Sequence, residues 1–303
     1  MAQEYVKRFV TKDGETRINI YRDEFASNPR DTTDEPLHCQ DWSREYSIET
    51  KDEGGYSYSD ARSLLIHLLG EYGKREVIIN MLVENGKHMT DGKSICNNAL
   101  VYDRSLKGWE LKEYTKWYSD KEYDWHQAEF FDGRKDDIDL YQLLDMCLDS
   151  TIDELCSDMN KYWTDGVKIA SYGFGYYGDI SFYDDANTRS VGICWLEKDE
   201  FLKYSGNPED YWKGKTLKET EWLTDEIEAW SDNEVYGFTV EECIKSKIHK
   251  EYVNKDKEPE DYEEEEWEET DSCWGYYGEL DDEHIGYILE GAGYKKEEVE
   301  EAA

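Results

Sequence analysis

A chain with 73 acidic side chains against 35 basic ones, a net charge of −38 over 303 residues, folds only if something outweighs its own repulsion. The usual source is thin, because Leu, Ile, Val and Phe together make up under a fifth of the residues, a balance normally associated with disorder. The compensation is aromatic. Eleven Trp and 25 Tyr can each bury a large area while a polar tip stays hydrogen-bonded, and the chain has just four prolines. These numbers predict a folded protein with an aromatic-rich core and an anionic surface whose stability rises when salt screens it. Such a surface repels nucleic-acid phosphates and anionic membranes, so the expected partner is a basic protein surface.

No window approaches the roughly 18 consecutive apolar residues of a membrane span, and the opening MAQEYVKRFVTKDGE lacks a signal-peptide core. Seven dispersed cysteines with no CxxC pair suggest neither a disulfide framework nor a zinc site. A reducing cytoplasm fits best, with most thiols acting as small buried apolar groups.

The pattern reads as α+β, with helices packed on mainly antiparallel strands. A hairpin is expected over residues 5–21 around Lys12-Asp13-Gly14. Asp60 is placed to cap a helix bearing Leu64, Leu65, Leu68 and Leu69, with Gly70 and Gly73 at its end. Residues 77–83 fit either a helix or a buried strand. The clearest helical period runs over residues 136–163, with Asp136 and Asp137 at its positive end. Strands follow over 167–172, 180–183, 191–196 and 235–240, with a helix over 217–230 among them and a short helix from Asp281 or Asp282. Three regions result: an N-terminal α+β region (1–106), an aromatic and helical insertion (107–178), and a C-terminal α+β region (179–303) containing the acidic segment 258–271.

Several blocks carry a resemblance. INIYRDEFASNPRD (Ile18–Asp31) with LHCQDWSREYSI (Leu37–Ile48), then ALVYDRS, RSVGICWL, DNEVYGFTVEE and finally DSCWGYYGE (Asp271–Glu279), follow one another in an order that resembles a family of acidic accessory proteins. That family is carried by phages, plasmids and conjugative elements. In length and character the chain also looks similar to the phage inhibitors of the Gabija nuclease–helicase defence system. It departs from the family by about seventy extra residues, 107–178, and by the adjacency of His38 and Cys39 where the family spaces them. The resemblance implies a protein that acts on the host, with anti-defence as its leading role.

Ten of the fourteen residues from 258 to 271 are carboxylates. Such a run is either a solvated connector or a track imitating DNA, which presents about one charge per 1.7 Å of duplex. Glu263, Glu264, Glu265, Glu266 and Trp267 are therefore candidate partner contacts. Trp117, Tyr118 and Trp125 of the extra region join them, because Trp and Tyr are favoured interface anchors. In Cys273-Trp274-Gly275-Tyr276-Tyr277-Gly278 the glycines suit tight turns and Trp274 with one tyrosine suits the core, so a structural corner is expected. Cys273 is a poor nucleophile, since acids around His284 raise a thiol's pKa. The clusters Asp136-Asp137-Asp139 and Asp184-Asp185 lack any ordered metal-loop spacing, and GFGYYG places bulky rings where a dinucleotide loop needs none.

The expected function is thus a non-enzymatic inhibitor without cofactor that assembles as a homo-oligomer and binds a host DNA-targeting defence complex. A DNA-mimicking antirestriction or anti-CRISPR protein is the nearest alternative. A metal-dependent enzyme degrading a signalling nucleotide, or a housekeeping protein acidic only for solubility, are the others.

Overall fold

The computed structural model describes residues 5–33, 36–43, 46–48, 58–89, 97–116, 121–205, 209–249 and 261–302. Among them lie twelve strands and nine α-helices, an α+β fold with antiparallel pairing in every sheet. The strands are β1 (Lys7–Thr11), β2 (Thr16–Arg22), β3 (His38–Asp41), β4 (Asn98–Asp103), β5 (Gly108–Thr115), β6 (Asp124–Asp132), β7 (Val167–Phe174), β8 (Ile180–Tyr183), β9 (Gly192–Glu197), β10 (Val235–His249), β11 (Asp261–Tyr277) and β12 (Val299–Glu301). The helices are α1 (Ala61–Tyr72), α2 (Arg75–His88), α3 (Leu140–Asp145), α4 (Asp149–Ser157), α5 (Met159–Tyr162), α6 (Lys198–Ser205), α7 (Leu217–Thr220), α8 (Leu223–Ser231) and α9 (Asp282–Gly291). Among the described residues no helix is long and apolar enough to cross a membrane.

The chain divides into two compact units, residues 1–32 with 225–303, and residues 33–224. This partition cuts the chain elsewhere than the three sequence regions do. Residues 107–178 supply β5 and β6, which complete a three-stranded sheet with β4, and their Leu111, Leu144 and Leu155 share one core with Leu64 and Leu68 of α1.

In the 33–224 unit α1 forms as its pattern predicts. The Asp60 carboxylate accepts from the Ser63 N–H at 2.8 Å, the four leucines are buried, and the Gly73 N–H closes the last turn on Leu69 at 2.8 Å. Gly70 lies inside the helix, with the Tyr141 ring packed against it. The ambiguous run 77–83 is helical, its Ile78, Ile79 and Leu82 buried on one side of α2. The long helix expected over 136–163 is instead a 3-10 turn (Lys135–Asp137) followed by α3, α4 and α5. The aspartates break it, because Asp139 and Asp158 turn their carboxylates onto the N–H groups of Gln142 and Lys161 at 2.8 and 3.0 Å and restart the helix each time. The 217–230 helix is likewise split into α7 and α8. Asp136 and Asp137 sit in the 3-10 turn rather than at the start of a long helix.

The aromatic core is present. Tyr162, Trp163, Tyr172 and Trp212 are fully buried, and the indole N–H groups of Trp163 and Trp212 donate to the carbonyls of Leu155 and Asp165 at 2.9 and 2.8 Å. A second sheet, ordered β3-β9-β7-β8, carries Lys168, whose ammonium donates to the Trp212 carbonyl at 2.7 Å and to that of Lys215. Burial pulls this lysine down to about 8.

The other unit is a five-stranded sheet ordered β11-β10-β2-β1-β12, with α9 on one face. Ile18 and Ile20 of β2, Phe238 and Val240 of β10, and Ile285, Ile288 and Leu289 of α9 form its core. Asp281 caps α9, accepting from the N–H groups of Glu283 and His284 at 3.0 and 2.8 Å. By strand alternation the residues between these core positions (Arg17 and Asn19 on β2, Gly237, Thr239 and Glu241 on β10) belong to the opposite face.

Candidate functional site

Over its described residues the acidic run is an extended strand rather than a loop. From Asp261 onward it is strand β11, which pairs with β10 over their whole lengths, from Val235 opposite Tyr277 to His249 opposite Asp261. Strand β2 supports β10 only from Tyr236 to Glu242. The Cys243 N–H still reaches the Glu15 carbonyl at 2.8 Å, and beyond it the two strands continue as a ribbon with β11 on the outer edge. A pure spacer cannot form this ribbon. The alternation Val235–Val240 and the apolar residues Ile244 and Trp267 give the pair a register to hold. Residues 258–260, the first part of the expected segment, lie outside the described residues.

Within the ribbon Glu263 lies in register with Lys247, Glu264 with Ser246, Glu265 with Lys245 and Glu266 with Ile244. Glu265 and Glu266 are exposed. Trp267, opposite Cys243, is half-buried because the Arg17 guanidinium lies 4.3 Å above its ring. Arg17 also pairs with Glu241, whose carboxylate accepts from the Asn19 amide at 2.9 Å, while Asn19 accepts from Arg8 at 2.6 Å. Burial pushes the Glu241 carboxyl up, yet the hydrogen bonds from Arg17 and Asn19 outweigh it and hold the group below its ordinary range. This network roots the ribbon on the sheet. Sequence reading missed Arg17, Asn19 and Glu241, although the alternation Arg17-Ile18-Asn19-Ile20 already assigns the two polar residues to one face.

The expected structural corner is the base of β11, and half of it is where the motif predicts. Tyr276, opposite Tyr236, packs against the α9 core; burial and then Cys273 raise its hydroxyl to about 12. Tyr277 stands opposite Val235, and the Gly278 N–H ends the strand on the Glu234 carbonyl at 2.9 Å. Trp274 departs from expectation. It is 42 % exposed, lying over Gly237 with its ring 6.1 Å from that of Tyr21 instead of filling the core. The cause is a bulge: Gly275 takes φ 89° and falls between the pairs Tyr236–Tyr276 and Gly237–Trp274, which switches Trp274 to the other face. Cys273 is exposed. His284 directs Nδ1 to the Glu279 carbonyl at 3.1 Å, a contact that orients the ring for the chain turn.

Trp125 lies in β6 of the 33–224 unit, paired with Tyr114 at a ring separation of 5.3 Å, and Trp117 and Tyr118 fall outside the described residues. Two of the aspartates weighed as metal ligands, Asp139 and Asp185, have structural tasks. Asp139 caps α3, and Asp185 accepts from the Ser171 hydroxyl at 3.2 Å. Among the described residues no three His, Cys, Asp or Glu side chains are grouped to hold a metal ion.

Comparison of the chain with protein-family models, with curated proteins and with solved structures returns no match.

Proposed function

We propose that this chain is a non-enzymatic inhibitor, carried by a phage or another mobile element, that binds a host DNA-targeting defence complex of the Gabija kind and blocks its access to DNA. The observation that supports this most is the β-structure of the acidic run. Eight carboxylates fall between Asp261 and Asp271, and at about 3.4 Å per residue they recur about once every 5 Å along the strand, shared between its two faces. One strand of DNA carries one phosphate per about 3.4 Å of axis. An acidic β-strand thus approaches the charge spacing of a single DNA backbone, and its hydrogen-bonded ladder holds that spacing where a coil would not. Opposite charge in a basic groove speeds encounter, and the aromatic side chains nearby supply contact area that slows release. The family resemblance of DSCWGYYGE and the blocks before it points to the same role.

The test is affinity capture by the tagged chain from hosts expressing a panel of DNA-targeting defence complexes, each also challenged with phage. The expected outcome is a salt-sensitive complex with one of them and restored phage growth; metal-dependent turnover of a nucleotide, with no complex formed, would replace this reading with the enzymatic one.

A further inference from the structure

The outer edge of β11 has two sections. Near its base, register shifts fall between Tyr236 and Gly237 and between Val240 and Glu241, placing bulges at Gly275 and Thr270. Bulges blunt a sheet edge by twisting its hydrogen-bonding groups out of line. Beyond them, from Glu269 opposite Glu241 to Asp261 opposite His249, nine consecutive pairs run without a shift. That flat section spans about 30 Å, and β10 is the strand partner β11 has among the described residues. Glu265, Glu266 and every residue from Glu268 to Gly275 are exposed, so the edge is open along the part whose side chains are described.

A long, flat, open edge normally invites pairing with any extended chain, and proteins prevent this with bulges or charge. Here the two devices divide the strand. Bulges protect the stretch Thr270–Gly275, where Asp271 is the one carboxylate, and carboxylates occupy seven of the nine positions from Asp261 to Glu269. Charge of one sign is a selective block. It repels acidic strands, among them a second copy of this chain with its net charge of −38, and it disfavours neutral apolar strands through the cost of desolvating carboxylates beside them, yet it favours a strand bearing Lys or Arg, whose side chains fall opposite the carboxylates as the backbones pair.

We propose that the flat edge of β11, residues 261–269, binds a lysine- or arginine-rich extended segment of the partner by β-strand addition. This rests on the reading of the chain as a binder of basic protein surfaces and specifies how it binds. Main-chain hydrogen bonds supply affinity, and the carboxylates, present on both faces of the strand, select for charge.

The experiment uses the full chain and a capped peptide of alternating lysine and threonine, about nine residues long. Companion peptides are an N-methylated version that keeps the charge and blocks strand pairing, and a glutamate–threonine version. Amide hydrogen exchange and binding are measured at about 50 mM salt. The proposal expects the lysine peptide to slow exchange at alternate amides of residues 261–269 by at least about tenfold, and the N-methylated peptide to bind at least about tenfold more weakly. The glutamate peptide should not bind, and Glu265→Lys with Glu266→Lys, folded by circular dichroism, should lose the lysine peptide. Equal binding of the N-methylated peptide, or binding without β11 protection, overturns strand addition while leaving an acidic docking surface. Failure of both basic peptides to bind overturns the mode and the broader reading together. Protection of β11 by self-association, seen as concentration-dependent sedimentation without peptide, assigns the edge to a second copy and overturns the proposal.

Discussion

At the scale of single residues, the root of the ribbon depends on Glu241. It accepts from Arg17 and from Asn19 at 2.9 Å, and Arg17 in turn covers Trp267. Glu241→Gln should lower stability by about 1.5–3 kcal/mol in denaturant unfolding at about pH 7, the range for hydrogen bonds to a charged group. The carboxyl is held below its ordinary value of 4.5, so the folded state binds its proton less readily than the unfolded chain. Its contribution is therefore full above that value and is lost as pH falls through the lower folded value. The gap between wild type and Glu241→Gln should accordingly close on acidification; a gap that stays constant to about pH 3 would contradict the ionised pair. Gly237 gives a second test, since a Cβ there would collide with the Trp274 ring. Gly237→Ala should cost about 1–3 kcal/mol, and most of that loss should disappear when Trp274→Ala is already present, measured as a double-mutant cycle.

Among the elements, the junction of β4 and α4 shows what local sequence hides. Asn98 is fully buried, and its side-chain oxygen accepts from the Leu148 N–H at 2.7 Å and the Thr151 hydroxyl at 2.8 Å, capping α4 from another strand. Asn98→Ala should destabilise the protein by about 2–4 kcal/mol by leaving those donors buried and unpaired; thermal unfolding within about a degree of wild type would contradict this account. No periodicity marks Asn98, because its partners lie some fifty residues away. The same reason explains which elements could be read directly. Helix α1, the β1–β2 hairpin and α9 declare themselves through caps and alternation contained in their own segments. The 136–163 stretch misleads because its apolar period is continuous while Asp139 and Asp158 interrupt the backbone. The acidic run misleads in the other direction. Its strand character comes from pairing with Val235–His249, a partner that composition alone cannot supply, so a run of glutamates reads as a connector. Trp267 stands out in that run as a candidate contact, but its task under Arg17 comes from a strand some 250 residues away and is not legible locally.

For the whole molecule, a charge of −38 on an aromatic core makes stability a matter of screening. Raising salt from about 50 to about 500 mM should raise the melting temperature by about 5 °C or more, because the Debye length shrinks from above about 10 Å to below about 8 Å and screens the repulsion among the carboxylates. A flat or falling melting temperature would mean that the acids are offset locally, as Lys245 opposite Glu265 exemplifies. The same charge bears on the proposed function, in which a surface that repels phosphates would compete with DNA only by occupying the site where DNA would bind. The most direct measurement is a titration of DNA cleavage by the captured defence complex against the wild-type chain and against a variant with Glu263, Glu264, Glu265 and Glu266 changed to glutamine. The wild type is expected to abolish cleavage at a fixed molar ratio without turnover, and the variant to require at least about tenfold more protein. Equal potency of the two proteins would contradict the acidic strand as the contact surface.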